Sequence, residues 1–591
     1  MAGKRVPSAN ATRLAAMTSV VAAGLPGVPG GTRTGGAAAA GQLGMIDQYL
    51  FSAMQDADVQ PAEPTTDWEF IRRATLDLTG RIPLPVTVLS FVADTTPNKR
   101  ATLVSQLIAS PQWVDKWTMY FGDLFKNNSS NSQINRYQGG VEAFYTYIKS
   151  SLAADKPYDQ MTRELITALG SNSFTTGEIN YNVGGVVTGG PIQDIFDQQT
   201  ANIADTFLGI AHQNCLLCHN GEGHLTGLSL WGEQQTRVGG WGMAAFLAHT
   251  YTSTTTAPGT TTTVWSVTDS STKANTNYKL NTTTGNRPPR QPIGTVTSIA
   301  PSYIFTGETP QAGENYRTAF ARIITADPQF ARATVNYMWA YFFGVGLVDP
   351  PDTFDPLRLD PDNPPPAGWT LQPSNPRLLN ALTQAFIANK YDLQWLMTQI
   401  VNSNAYQLSS RYEGTWNDAW YSLYARKMVR RLWGEEIHDA VAISSNNLPS
   451  YKLTTYGTIT YAMQFPEPVG IPDGTSGNIS GFLDSFLRGN RDDQPRSEDG
   501  SILQALNLMN DSFIMTRTSP TTPATGLLPT SLKLTNTQLV NTLFLAVLSR
   551  YPTTQEMTIA LGNLASTATR SAEAQNLLWS LYNKVDFTFN Y

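Results

Sequence analysis

Only two cysteines occur in 591 residues, and they stand three apart with a histidine directly after the second: Cys215-Leu216-Leu217-Cys218-His219. Two cysteines allow at most one disulfide, which stays open as an alternative reading of the pair. The spacing also carries chemistry. Two thiols and an imidazole so placed can add across the two vinyl groups of a porphyrin and ligate its iron from one face, so the first expectation is one covalent c-type haem per chain.

Three other readings of the same five residues stay open. A zinc site wants four N or S ligands, and with no second cysteine pair His212, His224 and His249 would have to complete it. A redox dithiol wants a strand-turn-helix setting. The plainest alternative is a pair of structural cysteines with a histidine beside them by chance.

A chain of this length exceeds what one core usually serves, which implies several domains. Hydrophobic residues make up 41%, ample for burial, while charged residues reach only 15% against about 25% in an average soluble protein. Thr, Asn, Ser and Gln, with 46 Gly and 36 Pro, carry the polar surface, a composition common among exported proteins. The net charge of -6 and the lack of a long basic run give no broad electrostatic reason to bind nucleic acid. No uninterrupted apolar stretch of about 18 residues is present, so no membrane span is expected. At the N-terminus, Lys4, Arg5 and Arg13 precede a short apolar run and then small residues. That pattern fits either a weak secretory signal or a disordered leader.

The pattern along the chain predicts a mainly α, multi-helix two-domain protein with a Thr-rich β-ribbon insertion and long irregular loops. Residues 1–42 read as a leader or flexible arm, 43–250 as a helical domain carrying the cysteine motif, 251–312 as the ribbon insertion and 313–591 as a second helical domain. Within these, 192–212 read as one helix running straight into the motif, 500–516 as one helix, and 420–446 as one long helix. An aromatic stripe of Trp113, Trp117, Tyr120 and Phe121 reads first as core, and second as a surface packed on a porphyrin. Val264 to Thr268 reads as a strand of the ribbon, where contacts between subunits or plain solvation are both reasonable.

If His219 is the proximal ligand, the second axial ligand must come from the other face of the ring. His224 is too near in sequence to round the porphyrin edge; His249 has the reach, with Met243 as the alternative. An open sixth position remains in play. Asp355, Asp360, Asp362 and Asn363 form an oxygen-rich loop that reads as turn chemistry or a calcium site. Glu435, Glu436, His438 and Asp439, one turn after Arg430 and Arg431, read as packing salt bridges or an acid-base set.

Several longer words of the sequence resemble one family. FIRRATLDLTGRIP at residues 70–83 and FLGI at 207–210, leading into the cysteine motif, resemble the first domain of cytochrome-like secreted proteins abundant in planctomycetes and acidobacteria. FARATVNYMW at 330–339, FGVGLV at 343–348, AYQLSS at 405–410, RRLWGEEIHD at 430–439, LQALNLMN at 503–510 and LSRYPT at 548–553 resemble the second. The resemblance covers roughly residues 43–591 and implies two paired domains of unknown function. Members often carry another histidine two residues after the motif's own; here Asn220 to Gly223 intervene before His224.

Together these readings lead to an exported mono-haem c-type cytochrome for electron transfer, in the periplasm, at the cell surface or outside the cell. Copies of the chain itself are the expected partners, in an oligomer or filament, and the redox partner is unspecified. The competing expectations are a surface enzyme, either a haem enzyme with an open sixth site or a polysaccharide hydrolase using Glu435 and Glu436, and a structural surface protein.

Overall fold

The computed structural model describes residues 8–27, 43–269, 277–453, 456–468 and 477–591. The fold is mainly α, about 51% helix against 7% strand. No helix among the described residues is long and apolar enough to cross a membrane. Contacts divide the chain into two compact units. One comprises Met1–Asn10, Phe121–Tyr341 and Val345–Met397, the other Ala11–Tyr120, Phe342–Gly344 and Thr398–Tyr591. This partition is not the sequential one expected from composition, because residues 43–120 pack with the C-terminal part of the chain.

The second of these units shows why. Its helix Asp67–Thr79 opens with a capping box between Thr66 and Glu69, ends on left-handed Gly80, and is buried along its whole length. A helix with no solvent face must find partners for its charges. Arg72 donates to the carbonyls of Val547 and Phe587, and Arg73 to those of Tyr406, Leu408 and Tyr591. Asp77 accepts from Tyr406, Asn590 and Arg430. Every one of these partners lies more than 300 residues away in sequence, so the unit closes only when both ends of the chain have arrived. Trp113 and Trp117 of the aromatic stripe are buried here.

Part of the expected leader also belongs to this unit. Ala9–Gly24 is a helix with Leu14, Ala15, Thr18 and Val21 buried, and Thr18 Oγ1 accepts from the Val429 amide at 3.1 Å. The arm expected beyond it falls largely at 28–42, outside the described residues.

The expected helix over 420–446 is a 3₁₀ turn Asp418–Leu423, a strand Arg430–Arg431 and a helix Gly434–Ser444. Tyr424 takes a left-handed conformation that stops the first piece, and the strand pairs with Phe589–Asn590. The stretch over 500–516 is likewise two helices, Ile502–Asn510 and Ser512–Arg517, parted at Asp511, whose extended backbone lets its side chain cap the second.

The first unit is built around an aromatic core in which Phe125, Phe144, Tyr158, Tyr181, Phe207 and Phe330 meet at centroid spacings of 5.5–6.3 Å. The ribbon forms as expected over part of its length, with Thr250–Thr256 antiparallel to Thr263–Asp269; residues 270–276 of the insertion lie outside the described residues. Its second strand is no surface element: Val264 and Val267 are fully buried, and Trp265 and Val267 pack with Ile134, Ile179 and Val183.

Candidate functional site

The cysteine motif sits just beyond a broken helix. Ile192–Leu208 ends on Gly209, whose left-handed φ of 63° turns the chain out of helix before the motif. A Cβ at that position would stand 2.9 Å from Phe354 Cδ2, so the turn requires glycine twice over. The single helix expected over 192–212 therefore does not form. A separate short helix, Gln213–Leu216, carries the motif, and the amides of Cys218 and His219 both bond back to the carbonyl of Cys215.

Burial alternates sharply within the motif. Leu216 and Leu217 are wholly buried and anchor the turn, while Cys215 and His219 are exposed and Cys218 is half-buried. Both thiols are free. Partial burial pushes the Cys215 thiol above its ordinary range, with Cys218 adding to the rise and Arg287 opposing it.

Two arginines frame the turn. Arg287 donates from Nη1 to Cys218 Sγ at 3.4 Å and from Nη2 to Asn214 Oδ1 at 2.8 Å. Arg237 donates from Nε to the carbonyl of Leu217, and its amide bonds to Asn220 Oδ1. Beneath them, Arg290 is buried against Asp194 and Asp197 at 2.7 and 2.6 Å, with Tyr278 donating to Asp197. None of these residues stood out in the sequence. The run Arg287-Pro288-Pro289-Arg290 after a Thr- and Asn-rich stretch was the one available signal, and it does not say what the arginines meet.

The structure brings His224 to His219, their rings stacked at 3.9 Å. The His219 imidazole titrates below its ordinary range, through loss of solvent first and then the nearby His224 and Arg237. Met243 and His249 are the two expected distal ligands. Met243 is fully buried in the helix Arg237–Ala244. His249 stacks on Tyr316 at 4.1 Å.

Among the described residues, no three His, Cys, Asp or Glu side chains form a group that could hold a metal ion. In the loop considered for calcium, Asp355 accepts from the amides of Leu230 and Trp231, Asp360 from that of Asp362, and Asp362 pairs with Arg377. The cluster on Gly434–Ser444 is buried and internally paired. Glu436 meets Lys116 and Arg430, Glu435 meets Arg496, and His438 lies between Asp439 and Tyr451 at 2.7 Å from each. Burial alone would raise the Glu436 carboxyl; the two cations overcome it and hold it at about 2, far from the range of a general acid.

The fold and site together define a mainly α protein that presents a free Cys-x-x-Cys-His turn at its surface. Residues 45–223 match PSCyt2, a protein of unknown function (DUF1549), and residues 316–564 match PSD1, a protein of unknown function (DUF1553). The chain thus carries this pair of domains, and each matched segment contributes to both compact units. No curated protein and no solved structure matches the chain.

Proposed function

We propose that this chain is an exported mono-haem c-type electron-transfer protein that works in an assembly of its own copies. The observation supporting this reading is the turn itself: two free thiols and an exposed imidazole projecting from an anchored backbone. The donor set fits the group. Cys215 and Cys218 would hold a haem through two thioether bonds and His219 would ligate its iron; when bound, the group supplies one-electron exchange. The buried Leu216 and Leu217 keep the turn rigid, which limits reorganisation when charge changes. Arg237 and Arg287 place positive charge beside it, suited to the carboxylate side chains of a porphyrin. Attachment through thioethers takes place on the export side of the membrane, hence a periplasmic, cell-surface or extracellular location. One haem on a 64.6 kDa chain leaves most of the mass without a redox task, which favours assembly over free diffusion.

The deciding experiment is intact mass with a pyridine haemochrome spectrum on protein produced with haem-attachment machinery. One added haem and a two-thioether haemochrome are expected, both lost in the Cys215→Ala, Cys218→Ala double variant. Unmodified protein from the native host, with both thiols open to alkylation, would overturn the proposal.

A second reading, a haem enzyme with an open sixth position, draws on the burial of Met243 and the stacking of His249 on Tyr316. Cyanide separates the two, since an open site binds it and shifts the spectrum while a site with two protein ligands resists it.

A further inference from the structure

The register of the ribbon determines where its backbone groups point. Thr252 faces Val267 and Thr254 faces Trp265 across the two strands. On the far side of the second strand, Val267 exchanges both backbone bonds with Gly170 at 2.8 and 3.0 Å. Trp265 there bonds to Ser173, its amide to Oγ at 3.0 Å and its carbonyl to the amide at 2.9 Å. The backbone groups of Val267 and Trp265 thus face away from the first strand, so 252–267 and 254–265 are the pairs that share no ladder bond. By the same alternation, the N–H and C=O of Thr252, Thr254 and Thr256 point out along the opposite edge. Among the described residues nothing bonds to that edge, and Thr254, Thr255 and Thr256 are exposed.

Natural sheets protect such an edge with charge, proline, a bulge or a covering segment. Here residues 250–268 contain no charged side chain, and their one proline, Pro258, lies in the turn. Threonine, which fills most of the strand, favours extended backbone. We propose that Thr250–Thr256 is a contact between two copies of this chain. The edges pair antiparallel about a twofold axis at Thr254, with Thr254 facing Thr254 and Thr252 facing Thr256, and the two ribbons join as one four-stranded sheet.

A second copy is the occupant because the edge is self-complementary. A twofold operation lays neutral threonine on neutral threonine and gives each outward N–H a carbonyl. Such a contact closes as a dimer, so a longer filament needs another, different surface. Two short edges bury less than the roughly 1,200 Å² of a standard stable interface, so the dimer forms reversibly with concentration. The inference deepens the self-association in the function proposed above and does not depend on the haem.

The test is sedimentation equilibrium of the full chain over a broad concentration range, with circular dichroism and melting temperature as controls for folding. Monomer–dimer exchange is expected for the parent and for Thr254→Val, which keeps the backbone groups. Dimer is lost at matched concentration in Thr254→Pro, which removes the central N–H, and in Thr254→Lys, which sets two like charges face to face. In the Cys215→Ala, Cys218→Ala chain, dimerisation persists without haem, and adding Thr254→Cys gives an oxidised covalent dimer while Thr260→Cys in the turn does not. A parent that stays monomeric at the highest concentration, or a dimer that survives Thr254→Lys, overturns the proposal.

Discussion

Arg287 reaches Cys218 Sγ with one nitrogen, at 3.4 Å, and Asn214 with the other, so a single guanidinium ties the second thiol of the motif to the residue just before the first. The same charge opposes the rise in the Cys215 thiol's pKa. A thiolate, not a thiol, is the reacting species. Arg287→Gln is therefore expected to slow iodoacetamide labelling of the pair several-fold at neutral pH, read by mass spectrometry, with Arg287→Lys in between. Unchanged labelling would show that the contact is geometric only.

Gly209 separates the long helix from the motif. Alanine there would hold a left-handed conformation at a cost of about 1–2 kcal/mol and also press its Cβ on Phe354. Urea unfolding of Gly209→Ala is expected to show at least that loss, and Gly209→Val more. A variant as stable as the parent would mean that the turn relaxes out of its left-handed form.

Lys116 and Glu436 form a wholly buried pair at 2.9 Å, with Arg430 on the second carboxylate oxygen. Removing one partner leaves the other charge in low dielectric, so Glu436→Gln is expected to cost about 3–5 kcal/mol in denaturant titration. The folded carboxyl, at about 2, lies below its ordinary 4.5, so the unfolded chain binds the proton more tightly. Its stabilising contribution is then full above about pH 4.5, on the order of 3 kcal/mol, and is lost as pH falls through about 2. Subtracting the acid limb of the Glu436→Gln profile from the parent's isolates it.

Lys427 is buried with its ammonium on the carbonyl of Phe342 and 5.3 Å from the Tyr406 ring. Burial lowers it from 10.5 to about 8, against the pull of Asp77. Between those values the unfolded chain holds a proton that the folded chain has released, so the stability of the parent relative to Lys427→Met is expected to rise from pH 8 toward 10.5. At pH 7 the methionine variant should be more stable, by about 2 kcal/mol. A flat difference profile would mean that the folded ammonium keeps its ordinary pKa.

Local pattern was readable wherever local physics decides. The helix Pro111–Leu124 follows from its apolar spacing, the end of the helix Asp67–Thr79 from Gly80, though Thr66 and not Asp67 caps its start, and the ribbon strand from its β-branched run. Reading failed where a distant segment overrides the period. The 420–446 stretch has helical spacing, yet Arg430 and Arg431 are drawn into a strand by residues 589–590, and Arg430 into buried ion pairs. The helix into the motif broke because Gly209 takes the left-handed turn that Phe354 leaves room for, a contact no spacing records.

The cysteine motif ends as it began, a property of five consecutive residues. The sequence by itself determined the donors, because the spacing of Cys215, Cys218 and His219 is covalent and no folding alters it. The tertiary structure decided what surrounds them. It buried Leu216 and Leu217 so that the thiols face outward, and it set Arg237, Arg287 and His224 against the turn. It also enclosed Met243 and stacked His249 on Tyr316. Side chains far apart in the chain meet only when burial and ion pairing bring them together, and no local pattern encodes that meeting.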